Sequence, residues 1–130
     1  MTVTHRPTFN DAGLARHLSA MSDAELDQLD FGVIGFDDAT VVRRYNTYES
    51  KAAGLSPQRV LEHALFTVVA PCMNNFLVAQ RFEDAAAAGE ALDDTIDYVL
   101  TLRMRPVKVR LRLLAEPGAA SRFVLVQRSV

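Results

Sequence analysis

Residues 106–116, "PVKVRLRLLAE", alternate apolar and basic side chains with a period of two. A period of two is typical of a β-strand, because successive side chains of a strand point to opposite faces of its sheet. The apolar face holds Val107, Val109, Leu111 and Leu113, and the basic face holds Lys108, Arg110 and Arg112. We therefore expect a strand with one buried face and one wet face, as antiparallel sheets provide.

Four further segments have strand character. "FGVIGF" (31–36) and "VVRRYN" (41–46) flank the turn sequence "DDAT", which predicts a hairpin. "DTIDYVLTLRM" (94–104) and "RFVLVQR" (122–128) precede and follow the alternating segment. The order is two strands, a helical middle and three strands. It predicts an α+β domain with an antiparallel sheet of about five strands, helices packed on one face, and a pocket between them.

The first 28 residues are predicted to form a helical cap, separate from a core of residues 29–130 in a single domain. Asn10 and Asp11 are candidate caps for a first short helix, and "SDAE" (22–25) is a capping box for a second. In the middle of the chain, Ser56 and Pro57 form a helix-start signal.

A longer helix is predicted over "MNNFLVAQRFEDAAAAG", beginning near Asn74 or Asn75 and ending before Gly89. Its start would lie directly behind Cys72. The amides of a helix N-terminus favour negative charge, so this placement would support a thiolate or a developing anion at Cys72.

Composition excludes several classes of function. The 130 residues suit one domain, nearly half are apolar, and the single cysteine forms no internal disulfide. A formal net charge of −2 gives no reason to expect nucleic acid as a partner. No apolar run is long enough for a signal peptide or a membrane span, so we expect a cytoplasmic protein with no membrane partner. His5, His17 and His63 have no metal-ligand spacing, so no metal site is expected.

Cys72 has two readings from the residues alone. A lone free cysteine is commonly a small buried apolar group. A catalytic thiol needs a base or a positively charged neighbour to lower its pKa, and His63 is a candidate for that role. No third group that would orient such a base is identifiable, so we do not expect an enzyme.

Several short motifs occur in a fixed order along the chain. They are "LDFG" at 29–32, Tyr45 and Asn46 with Glu49 three residues later, "APC" at 70–72, "Met-x-Pro" at 104–106 followed by "KV", and a closing "FVLV". In this order the chain resembles the photoactive yellow protein family, the xanthopsins, which have the PAS fold. The similarity runs from about Leu18 to the end, with one extra residue between the long helix and the third strand.

The resemblance implies a blue-light photoreceptor that carries p-coumaric acid as a thioester on Cys72. Tyr45 and Glu49 would donate hydrogen bonds to the phenolic oxygen of the chromophore, and the Cys72 amide would donate to the thioester carbonyl. Met104 would lie near the chromophore and assist its thermal return. The signal would pass by photoisomerisation, proton transfer and partial opening of the N-terminal cap to an unidentified downstream protein. A monomer is expected.

The implied residue types suit this chemistry. A free phenol has a pKa near 10, so holding it as a phenolate at neutral pH costs about 4 kcal/mol. Two hydrogen bonds to a charged acceptor, at about 1.5–3 kcal/mol each, offset that cost. Glu49 can donate only if it is protonated, which burial in an apolar pocket favours. Transfer of that proton to the phenolate would leave a buried carboxylate, which is costly and gives a reason for the cap to open.

Two positions depart from the family pattern. Ala53 stands where the family usually has a hydroxyl residue supporting the tyrosine, and Leu55 stands where it usually has an arginine at the pocket mouth. Arg43 and Arg44 lie beside Tyr45 on opposite faces of their strand, so either one faces the pocket or both are solvated. These departures leave an alternative open, namely a PAS module that binds an aromatic or acyl ligand without light, or that serves only for protein interaction.

Overall fold

The computed structural model describes residues 6–101 and 106–128; Met104 lies outside them. The described strands are β1 (Gly32–Phe36), β2 (Val42–Tyr45), β3 (Leu92–Leu100), β4 (Val107–Ala115) and β5 (Arg122–Gln127). They form one antiparallel sheet in the order β2-β1-β5-β4-β3. The predicted five-stranded α+β architecture is confirmed.

The described helices are α1 (Leu14–Ala20), α2 (Asp23–Leu26), α3 (Thr47–Ala53), α4 (Pro57–Val60) and α5 (Ala79–Ala88), with a π-helical turn at Leu65–Val69 and a 3₁₀ helix at Pro71–Met73. The capping box of Ser22 and Glu25 is confirmed, as is the helix start at Ser56 and Pro57. No described helix is both long enough and apolar enough to cross a membrane.

Two predicted helix starts are wrong. Helix α1 begins after Gly13, whose left-handed φ of 65° ends the preceding turn, rather than at Asn10 or Asp11. Helix α5 begins at Ala79 rather than near Asn74 or Asn75, because the Asn75 side-chain oxygen accepts from the Leu77 and Val78 amides and holds a separate turn. The predicted end is confirmed, since Gly89 adopts φ 67° directly after α5.

The sheet is covered on both faces. The inner face packs against the middle helices through a cluster that we call the inner core, which includes Ile34, Phe36, Met73, Phe82, Leu111 and Val124. Residues 6–28, which we call the N-terminal segment, cover part of the outer face. They do so through a second cluster, which also contains residues of the sheet and is made of Phe9, Leu14, Leu18, Leu26, Leu29, Phe31, Val33, Leu114, Phe123 and Leu125. The described part of the N-terminal segment thus packs as a layer over the sheet.

The expectation that the basic face of β4 is wet is wrong at Arg112. This side chain is buried, forms a bidentate pair with Asp93 at 2.8 Å, and donates to the carbonyls of Phe9 and Asp11 at 2.9 and 2.7 Å. Lys108 and Arg110 are exposed as expected. Arg112 therefore fastens the N-terminal segment to the sheet.

Arg43 and Arg44 do not behave as the sequence suggested. Arg44 neither points to the inner face of the sheet nor is fully solvated. It donates hydrogen bonds to the carbonyls of Leu18 and Met21 and pairs with Asp23. Arg43 is exposed but paired, with Asp37 at 2.9 Å. Arg44, like Arg112, therefore holds the N-terminal segment and contributes no charge to the inner side.

Candidate functional site

Cys72 lies in the 3₁₀ helix, half-buried, and its side chain packs against the inner core. Its carbonyl accepts from the Tyr98 hydroxyl at 2.6 Å and from Asn75 Nδ2 at 3.2 Å. Asn75 Nδ2 also donates to the Tyr98 hydroxyl at 2.7 Å. These three bonds fix the backbone of Cys72 against strand β3.

The predicted long helix does not begin directly behind Cys72, because α5 begins only at Ala79. Residues 74–78 form a loop and a turn, and Cys72 itself lies in a three-residue 3₁₀ helix. A helix this short has no appreciable macrodipole. The argument that a helix N-terminus favours negative charge at Cys72 is therefore wrong, and Cys72 is positioned instead by Tyr98 and Asn75.

Tyr45 ends strand β2 and packs, half-buried, against the same inner core as Cys72. Its hydroxyl lies 3.5 Å from the Glu49 carbonyl oxygen. Burial raises the pKa of Tyr45 well above its ordinary value, the nearby Glu49 charge raises it further, and Arg128 opposes the rise. Tyr45 is therefore a neutral hydroxyl, able to donate a hydrogen bond, across the physiological pH range.

Glu49 lies on helix α3 and only 1% of its surface is exposed. Its carboxylate oxygens accept from Arg128, Oε1 from Nη1 at 2.5 Å and Oε2 from Nη2 at 2.9 Å. Burial raises the pKa of Glu49 above its usual range, as expected, while the hydrogen bonds and charge of Arg128 act in the opposite direction. Glu49 is therefore a buried carboxyl group whose charge depends on one partner.

Gly32 makes the space that Glu49 occupies. A Cβ atom at Gly32 would overlap Glu49 Oε1 and lie 3.0 Å from Glu49 Cδ. The glycine of the "LDFG" motif thus has a steric role, because any larger residue would push the carboxylate away from Arg128.

Asn46 organises the backbone around this site and is 1% exposed. Its Oδ1 accepts from the Val33 and Glu49 amides, at 2.9 and 3.2 Å. Its Nδ2 donates to the carbonyls of Leu26 and Phe31, both at 3.0 Å. One side chain therefore joins β1, the start of α3 and the N-terminal segment.

The two departures from the family pattern lie at the end of α3 and just beyond it. Ala53 is buried, and Leu55 is half-buried against the inner core with Tyr45 and Cys72. The family's hydroxyl and arginine positions are therefore apolar here. His63, the candidate base for Cys72, is exposed.

Three residues of the site did not stand out in the sequence. Tyr98 and Asn75 were read only as parts of a strand and a helix. The position of Arg128 could have been predicted from strand alternation. Val124 and Val126 face the inner core, and alternation places Arg128 on the same side.

Replacing Gly32 with alanine is expected to destabilise the fold by about 1–3 kcal/mol, because the added methyl group overpacks the space held by Glu49. Urea denaturation measures the change. The matched control is the same substitution in a Glu49→Ala background, where the clashing carboxylate is gone and the cost should fall by half or more. Equal costs in the two backgrounds would show that Glu49 is not what Gly32 accommodates.

No protein-family model matches the chain. Solved PAS domains at 12–17% identity share its architecture, with TM-scores of 0.55–0.58, so the fold is that of a PAS domain. The photoactive yellow protein domain of the sensor histidine kinase Ppr from Rhodospirillum centenum is closer. It is 34% identical, with a TM-score of 0.79 over 87% of this chain and 98% of that domain.

Two curated relatives cover nearly the whole chain. The photoactive yellow protein of Halochromatium salexigens is 31% identical over 98% of this chain and 99% of its own length. That of Rhodothalassium salexigens is 30% identical over 92% and 95%. The chain belongs to the photoactive yellow protein family.

Proposed function

We propose that this protein is a blue-light receptor that carries p-coumaric acid as a thioester on Cys72. The proposal rests on the family to which the chain belongs and on the packing of Cys72 and Tyr45 against the inner core. Both pack half-buried against one apolar core, and Tyr45 lies next to the buried Glu49. An apolar surface with a thiol and a separate polar group suits an aromatic acyl chain with one phenolic end.

Each residue has a role in this proposal. Cys72 forms the thioester bond, and its backbone, held by Tyr98 and Asn75, fixes the point of attachment. Tyr45 donates a hydrogen bond toward the phenolic oxygen, and Glu49 does so when it is protonated. The bound group supplies light absorption and isomerisation. Met104 is proposed, from the resemblance alone, to assist the thermal return.

The signal is proposed to leave through the N-terminal segment. Arg44, Arg112 and Asn46 hold this segment by hydrogen bonds to backbone carbonyls. Asn46 connects Glu49 to this segment, because its Oδ1 accepts from the Glu49 amide while its Nδ2 donates to the Leu26 carbonyl. A change of charge at Glu49 would therefore act one residue away from the segment. We propose a non-catalytic, monomeric, cytoplasmic module that acts on a separate signalling partner and uses neither nucleic acid nor a membrane.

One contact favours a second candidate, a PAS module that binds an acyl or aromatic ligand without light. Arg128 engages both oxygens of Glu49, and an ionised carboxylate accepts hydrogen bonds but donates none. If that pairing persisted in the loaded protein, Tyr45 alone would support the phenolate.

Reconstitution with an activated ester of p-coumaric acid tests the proposal. Intact-mass measurement is expected to show one added p-coumaroyl group, removable by hydroxylamine as a thioester is. The absorption spectrum is expected to show a visible phenolate band near neutral pH. A stable adduct that never shows this band would favour the second candidate.

Leu55→Arg in the reconstituted protein is expected to lower the phenol pKa of the chromophore by about one unit or more, because a nearby positive charge favours the anionic form. The visible band would then persist to lower pH, which a pH titration of absorbance measures. Ala52→Arg is the matched control, since it adds the same charge at an exposed position of α3. Equal shifts in the two variants would place Leu55 away from the phenolic end.

A further inference from the structure

Arg128 is the cation that pairs with Glu49 among residues 6–101 and 106–128. Both side chains are shielded from solvent, with 14% of Arg128 and 1% of Glu49 exposed. The contact is a bidentate guanidinium–carboxylate pair, the geometry in which charge-assisted hydrogen bonds are strongest. It is therefore a specific buried contact and not a solvated surface pair.

The sheet explains why Arg128 reaches this site. Val126 pairs with Gly32 across β5 and β1, and both residues face the inner side. Arg128 follows two residues later on the same side, beyond the end of β5. The chain thus leaves the central strand of the sheet directly beside the space that Gly32 opens for Glu49.

The groups that face the pair are few. Tyr45 on β2 interacts electrostatically with both partners, and Tyr48 on α3 interacts with Arg128. Both side chains are phenols, a group that never carries a positive charge, so neither can offset the charge of a carboxylate. Arg128 is therefore the group able to hold Glu49 in its charged form, while burial favours the neutral form.

This arrangement gives Glu49 two exclusive states. While Arg128 is docked, both carboxylate oxygens accept, and Glu49 has no proton to donate. To donate to a phenolate, Glu49 must carry a proton, and a neutral carboxyl group loses most of its attraction for Arg128. When the proton passes from Glu49 to the phenolate, the products are a phenol and a carboxylate, and the carboxylate again attracts Arg128.

We propose that Arg128 is a positioning residue that sets the protonation state of Glu49, so that binding of Glu49 to the phenolic oxygen and binding of Glu49 to the end of β5 exclude each other. The end of β5 is then released when Glu49 is protonated and captured when Glu49 is charged. The part that concerns the phenolic oxygen rests on the proposed function.

The first test uses protein purified without any chromophore. The side-chain carboxyl carbon of Glu49 is followed by ¹³C NMR through a pH titration and assigned with Glu49→Gln. In Arg128→Gln, the proton affinity of Glu49 is expected to rise about tenfold or more, because the opposing charge is removed and burial remains. Arg128→Lys keeps the charge and should restore most of the original midpoint. Arg16→Gln, which removes a charge that is 84% exposed, should not move it.

An unchanged Glu49 midpoint in folded Arg128→Gln would overturn the proposal. So would an Arg128→Lys midpoint that matches Arg128→Gln, because the effect would then be one of packing and not of charge. If Arg128→Gln does not fold, the Arg128→Lys titration and an Arg128→Met variant, which preserves most of the side-chain length, carry the same comparison. None of these results depends on whether the protein is a light receptor.

The second test uses the reconstituted protein. After a blue flash, the bleached state is expected to decay about tenfold faster in Arg128→Gln, because the Glu49 carboxylate loses its partner and recovers its proton sooner. Arg128→Lys should decay at nearly the original rate. A lifetime unaffected by Arg128→Gln would confine Arg128 to the structural pair and refute its role in the switch. Failure of the wild-type protein to become coloured would refute the proposed function and leave the NMR result standing.

Discussion

Cys72→Ala protein is expected to gain no mass and no visible absorption on treatment with activated p-coumaric acid. Cys72 is the only cysteine in the chain, so no other thiol can form the thioester. The loss should be complete rather than partial, and intact-mass measurement of the two proteins treated side by side checks it.

A control separates attachment from placement. The double variant Cys72→Ala with Asn74→Cys moves the thiol two residues along the chain, to an exposed position. It should accept the acyl group. Its absorption should be that of the neutral phenol in solution, because a chromophore attached at this exposed position is neither shielded by the inner core nor bonded to Tyr45. A visible phenolate band in this double variant would contradict the assignment of the site to Cys72 and Tyr45.

Asn46→Ala is expected to destabilise the protein by about 3 kcal/mol or more. Four backbone groups lose a hydrogen bond to Asn46, namely the amides of Val33 and Glu49 and the carbonyls of Leu26 and Phe31, and of these the Leu26 carbonyl keeps a bond from the Leu29 amide. Each unsatisfied buried polar group costs about 1–3 kcal/mol, and local relaxation recovers part of the sum. Chemical denaturation of the chromophore-free protein measures the change.

Asn74→Ala is the matched control, since Asn74 is exposed and its replacement should change the stability by less than about 0.5 kcal/mol. Asn46→Asp adds a second comparison, because it keeps the acceptor for the two amides but loses the donors to the two carbonyls. A cost for Asn46→Ala no larger than for Asn74→Ala would show that Asn46 does not hold the N-terminal segment.

Strand character was readable from local pattern, and helix starts less so. Alternation identified β4, and turn residues bounded β1, β2 and β5. The start of α5 was predicted wrongly because the Asn75 side chain bonds to the Leu77 and Val78 amides, which competes with a helical start. The sequence pattern alone does not show whether such an asparagine begins a helix or holds a separate turn.

The burial of Arg112 and the partial burial of Arg44 could not be predicted from the sequence pattern either. Each is part of a strand whose alternation predicts an exposed face, and each is covered by the N-terminal segment, which lies far away in sequence. The proposed site residues Tyr45, Glu49 and Cys72 rest on the order of the family's motifs. The partner of Glu49 was missed because Arg128 and Glu49 are 79 positions apart and meet only through the pairing of β5 with β1.

The absorption spectrum of the reconstituted protein before, during and after blue illumination tests the central claim most directly. A light receptor of the proposed kind should show a visible phenolate band near neutral pH that bleaches under blue light and recovers in the dark over repeated cycles. A stable Cys72 thioester that has no such band, or one whose band neither bleaches nor recovers, would contradict the light-receptor account.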